Sequence, residues 1–259
     1  MNFDEVRRQS SRNLIETYFH LGMAIPGSET VEEAGFKACL GEFEHPICNF
    51  AADLDLDPWV VRRLSAMAIA KSVFNVYALP SDKPNHLGEL LTRGDFQVHY
   101  RMALLTCRPE PQKGCAAMVP ASDLQNRKEI ARFMTEQFFP RQTEDFRVRV
   151  AAATTDVIKF KLMELQSEGE RVGALMLYEN DQSVGLYNLC VASKMRGLGV
   201  GATMTRWAID YAYHQRKMIT LQCDARLQTW YEEQSFDWVG TVDVYSLSNR
   251  PKSDIMNGT

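Results

Sequence analysis

The sequence predicts a protein of the α+β / α/β class, and three observations carry that reading. Helical and strand periodicities alternate along the chain, Pro- and Gly-containing breaks separate them, and a glycine-rich bend joins one strand to one helix. At 259 residues there is room for one or two domains, and 45% hydrophobic with 24% charged residues is ordinary globular composition. A formal net charge of −4 argues against a broad nucleic-acid-binding face, which needs a surplus of Lys and Arg.

Residues 1–10 carry Asp4, Glu5, Arg7 and Arg8 and lack the apolar core of a secretory signal. The most apolar stretch, 66–79, is broken by Lys71 and Asn75 and is too short to cross about 30 Å of hydrocarbon. The expectation is a cytoplasmic protein without membrane contact. Six cysteines lie far apart with no C-x-x-C pair, so they read as small core side chains, and neither a metal nor a disulfide framework is expected.

The break Arg108-Pro109-Glu110-Pro111-Gln112-Lys113-Gly114 divides the chain into halves of similar size, 1–113 and 114–250, with 251–259 as a tail. In the second half, a strand at 118–120 is followed by a helix from Ser122 or Asp123 to about 138 and a second helix around 145–153. Strands at 157–165, 172–178 and 183–191 come next, then a helix at 200–214, whose apolar residues Met204, Trp207, Ala208, Tyr211 and Ala212 recur at helical spacing. A strand at 218–223, a short helix at 228–234 and a strand at 238–247 finish it. The first half ends in the same way: helix 58–72, strand 74–79, helix 85–93, strand 97–107. Placing Phe96 on Phe236 sets 90–96 against 230–236, which suggests a diverged internal repeat.

The stretch that carries chemistry is Leu189-Cys190-Val191-Ala192-Ser193-Lys194-Met195-Arg196-Gly197-Leu198-Gly199-Val200-Gly201-Ala202, between strand and helix. Glycines let a ligand approach the backbone and permit unusual dihedrals, and the free N–H groups of the following helix form an anion cradle. A bend before a helix also holds glycines for packing alone. Arg196 either adds charge at the mouth or braces the bend. Neither G-x-x-x-x-G-K-[ST] nor G-x-G-x-x-G is satisfied, since Met204 stands where the last glycine would fall.

Arg196-Gly197-Leu198-Gly199-Val200-Gly201 resembles the R-x-x-G-x-G signature of the GNAT acetyltransferase superfamily, with Leu189 and Val191 in the strand before it. Leu221-Gln222-Cys223-Asp224 followed by Trp230-Tyr231-Glu232-Glu233-Gln234-Ser235-Phe236 is similar to that family's closing pattern, and the element order agrees. Ser193, Asp224 and Gln234-Ser235 depart from it. The resemblance implies a GNAT fold, a mixed central sheet flanked by helices, in tandem if the repeat holds. It implies acetyl-CoA as donor, held by Leu189, Val191, Arg196, Gly197, Leu198, Gly199, Val200, Gly201 and Ala202. It also implies an amine acceptor, on a small molecule or a protein, near Tyr187 and Asn188, with a monomer or homodimer as the working species.

In this family the amine attacks the thioester directly. A backbone donor such as the Val191 N–H polarises the carbonyl, and Tyr231 stands at the position of the general acid. Tyr231 also fits as a packing aromatic. Water, Glu179 or Asp181 is open as base. The first half has no R-x-x-G-x-G and carries Leu91 where the second has Tyr231. Two other readings share the fold: a non-catalytic acyl-CoA-binding or regulatory module, and a different acyl-CoA reaction.

Overall fold

Asn2 starts the first helix, α1 (Phe3–Met23), by accepting the Asp4 N–H at 2.9 Å. The computed structural model describes residues 2–248, so the expected tail at 251–259 lies outside the described residues. Three strands follow, β1 (Glu29–Glu33), β2 (Phe36–Leu40) and β3 (Asn49–Ala52), then α2 (Pro58–Ala70), β4 (Asn75–Ala78), α3 (Leu87–Arg93) and β5 (Phe96–Cys107). The second half continues with β6 (Val119–Pro120), α4 (Leu124–Phe138), α5 (Glu144–Asp156), β7 (Phe160–Ser167), β8 (Glu170–Glu179) and β9 (Ser183–Val191). It ends with α6 (Val200–His214), β10 (Met218–Asp224), α7 (Gln228–Glu232) and β11 (Asp237–Leu247).

β9 and α6 have the limits that their sequence pattern sets. The strand expected from 157 starts three residues later, because α5 runs on to Asp156. Arg127 is the reason: its guanidinium donates to the carbonyls of Thr155 at 2.7 Å, Val157 at 2.6 Å and Phe160 at 2.7 Å, satisfying acceptors at the helix end.

The chain forms two compact units. The first comprises residues 2–104, 223–228 and 239–248; the second comprises 105–222 and 229–238. The compact units therefore do not coincide with the two halves of the sequence, since β11 from Val239 on is counted with the first unit. The reason is pairing: Asp243, Val244 and Tyr245 of β11 lie antiparallel to Ala78, Tyr77 and Val76 of β4. Tyr245 joins Phe36, Leu64, Phe74, Val76 and Phe96 in that unit's core.

Within the first unit β1, β2 and β3 pair antiparallel and β3 pairs parallel with β4. Within the second, β7, β8 and β9 pair antiparallel and β9 pairs parallel with β10, with β6 on the outer edge of β7. The two series of pairings are the same, and in each a helix, α2 or α6, joins the parallel strands. Thr106 at the end of β5 donates to Ile219 O at 2.9 Å, while Thr220 donates to Leu105 O at 3.0 Å, which adds a side-chain pair to the second unit.

The repeat extends to single residues. Asp95 and Ser235, aligned through Phe96 and Phe236, both have left-handed backbones, φ +65° and +70°. In one turn Gly94 N–H bonds Leu91 O and Asp95 N–H bonds Thr92 O; in the other Gln234 N–H bonds Tyr231 O and Ser235 N–H bonds Glu232 O. The two helix beginnings differ. Asp57 caps α2 with its own carboxylate, accepting the N–H groups of Trp59 and Val60 at 2.7 Å each, whereas Gly199 gives α6 no side-chain cap. Among the described residues no helix is long and apolar enough to cross a membrane.

Candidate active site

β8 and β9 define the site's faces. An added Cβ on Gly173 would come within 2.5 Å of Met204 Sδ in α6, so Gly173 and its partner Val191 face α6. Ala174 and Cys190, one residue removed, face the side on which α4 packs. Tyr187, opposite Met176, shares the α4 side and is buried. The register shifts between these pairs, and Asn188 takes φ +48° there, so a bulge bends β9 just before half-buried Leu189.

Pairing of β9 with β10 is recorded at Ser183–Met218, Val184–Ile219 and Gly185–Thr220 and goes no further. Beyond it the strands part. Ala192 N–H bonds Val172 O at 2.9 Å, so Gly173 and Val191 form a pair without mutual hydrogen bonds, and Val191 turns its N–H and C=O away from β8. That edge faces the side where β10 has left the ladder.

After β9 the chain makes a 3₁₀ turn at Ser193–Met195 and reaches the bend. Gly197 and Gly199 have φ +78° and +79°, and an added Cβ at either meets nothing within 4 Å. Leu198 between them is 67% exposed, so the bend is not held by burial of an apolar side chain. The first backward helical bond is Thr203 N–H to Gly199 O at 3.2 Å, which places the N–H groups of Val200, Gly201 and Ala202 in the unpaired first turn of α6. Gly201 differs from the other two. Its φ is ordinary, and an added Cβ would rest 3.7 Å from the Trp230 ring. Gly199→Ala is expected to cost about 1–2 kcal/mol for a left-handed alanine, while Gly201→Ala gains about 1 kcal/mol of helix propensity. Urea unfolding of both variants checks this, and equal effects would refute the distinction.

Arg196 braces the bend. Its Nε donates to Val191 O at 3.1 Å and its Nη2 to Gln137 Oε1 at 3.2 Å. Gln137, in the last turn of α4, was not foreseen; nothing in its sequence context marks it. Tyr231 in α7 is 9% exposed and meets Trp230 and Phe236 edge to face, with centroids 4.7 and 5.8 Å away. Asp224 is engaged by Arg226 at 2.9 and 3.0 Å.

Glu179 does not fit the role of base. Burial works to raise its pKa, but Lys161, Tyr211 and Lys217 together hold the carboxyl below the usual range. It pairs with Val184, four residues or about 13 Å along β9 from Asn188. Burial pushes the Cys190 thiol up to about 12, against its hydrogen bond to Ala174 O. A thiol in that state is a poor nucleophile. Among the described residues no group of three or more His, Cys, Asp or Glu is placed to hold a metal ion.

Residues 127–236 match the model of the Acetyltransferase (GNAT) family, and the chain carries a GNAT acetyltransferase domain over that span. Solved structures agree in fold. A GCN5-related N-acetyltransferase from Kribbella flavida superposes with TM-score 0.64 at 14% identity, covering 90% of this chain and 94% of its own. A tandem GNAT protein from the clavulanic acid biosynthesis pathway gives 0.58 at 10% identity, covering 87% and 86%. A GNAT-family protein from Novosphingobium aromaticivorans gives 0.54 at 13%, covering 85% and 92%. No curated protein matches the sequence.

Proposed function

We propose that the protein is an N-acetyltransferase that moves the acetyl group of acetyl-CoA to an amine on a small molecule or a protein, in the cytoplasm. The observation that carries this is the uncapped first turn of α6 behind Gly197 and Gly199, next to the unpaired edge of β9. The N–H groups of Val200, Gly201 and Ala202, reinforced by the helix dipole, suit a pyrophosphate. Leu189 and Val191 offer backbone partners to an extended pantetheine chain, and the Val191 N–H polarises the thioester carbonyl. The amine approaches from the side of Tyr187 and Asn188 and attacks directly, and Tyr231 protonates the departing thiolate.

The chemistry belongs to the second half, 114–250, and residues 1–113 are a diverged GNAT-like half. Two observations support that assignment: the Asp57 carboxylate already fills the first turn of α2, and Leu91 is fully buried where Tyr231 stands in the repeat. Thermal unfolding with and without acetyl-CoA tests the reading. Ligand at about a hundred times its dissociation constant should add roughly 2.7 kcal/mol of stability. No shift at millimolar concentration would sink both the enzyme and the acyl-CoA-sensor alternative, while a shift without turnover on any amine would favour the sensor.

A further inference from the structure

We propose that Arg196 is a positioning residue that makes the site prefer an acyl thioester over free CoA, rather than a ligand of phosphate; this rests on the acyl-CoA reading above. A cation at the mouth of an anion cradle invites the phosphate assignment. The hydrogen bonds point the guanidinium elsewhere, because two of its five N–H donors engage Val191 O at 3.1 Å and Gln137 Oε1 at 3.2 Å.

Val191 is the residue whose polar edge faces the parted strands. In extended backbone the N–H and C=O of one residue point to the same edge. A thioester oxygen that accepts the Val191 N–H therefore lies beside the Val191 carbonyl oxygen, and two like partial charges meet. Arg196 removes that conflict: it donates to the carbonyl oxygen and sets a positive charge beside it. The same peptide is anchored on its other side by Ala192 N–H to Val172 O at 2.9 Å, so the edge is held from both directions. Gln137 fixes the second arm of the guanidinium and links this edge to α4. Free CoA has no thioester carbonyl to place there, so its binding is insensitive to the arrangement.

Calorimetric titration of acetyl-CoA and of CoA into the wild type, Arg196→Met and Gln137→Leu decides the matter without knowledge of the acceptor. Arg196 is exposed, so its replacement leaves the fold intact, which the melting curve checks. The expected result is a wild type that binds acetyl-CoA more tightly than CoA. Arg196→Met should keep its CoA affinity and lose about tenfold for acetyl-CoA. Gln137→Leu should move the same ratio in the same direction by less. An equal loss for both ligands would make Arg196 a phosphate ligand and overturn the proposal, as would unchanged binding of both or a wild type without preference. A wild type that binds neither ligand would instead overturn the acyl-CoA reading.

Discussion

A chain shortened to end at Phe236 is expected to leave residues 2–104 unable to fold cooperatively. The lost segment contains β11, which pairs with β4 and supplies buried Val239, Val242, Val244 and Tyr245. Burial of such side chains contributes about 1.5–3 kcal/mol each, roughly 6–12 kcal/mol together, which is comparable to the whole stability of a typical domain. The hydrogen bond from Arg7 Nε to Val239 O at 3.1 Å and the ion pair of Arg101 with Asp243 at 2.9 Å disappear as well. Among the described residues the second unit loses only 237–238. Limited proteolysis should therefore digest 2–104 quickly while sparing most of 105–236. A protected first unit in the shortened chain would contradict the assignment of β11. Val244→Asp, at a position with no exposed surface, should reproduce the effect in the full chain.

Tyr231→Phe is expected to lower kcat by about 10²- to 10⁴-fold, the usual range for loss of a general acid, with the KM for acetyl-CoA changed far less. The ring keeps its edge-to-face contacts with Trp230 and Phe236, so the variant should fold, which the melting curve checks. A thiol-release assay over a panel of amines provides the rates. Unchanged kcat across the pH range, with an acceptor that the wild type acetylates, would remove Tyr231 from the mechanism.

The second half was the more legible because its signals are local. β9 and α6 carry clean periods of two and 3.6, and the glycines mark the bend between them. The parting of β9 from β10 leaves no local sign, since it depends on where a parallel pairing stops. Over residues 2–57 the sequence pattern marks no element, for a physical reason. α1 buries Gln9, Ser10, Ser11, Asn13 and Thr17 along with Leu14, Ile15 and Phe19, so its inner face does not stand out by hydrophobicity. β1 is charge-rich and largely exposed, and β3 is only four residues long. Glu179 fits a base by sequence alone because its partners Lys161, Tyr211 and Lys217 come from β7, α6 and the loop after α6. The brace from Arg196 to Gln137 spans 59 positions and is invisible to any local pattern.

The place of β11 also bears on biosynthesis. Proteins emerge from the ribosome amino terminus first, and early domains usually fold as they appear. Here the strand that pairs with β4 follows residues 2–104 only after more than a hundred further residues. At about 5–20 residues per second, the roughly 140 intervening residues correspond to about 7–28 s. During that interval β4 has an open edge, of the kind that invites pairing with other chains. The first unit is completed only after residues 105–238 have been made, so a nascent chain needs protection at residues 2–104 until β11 emerges.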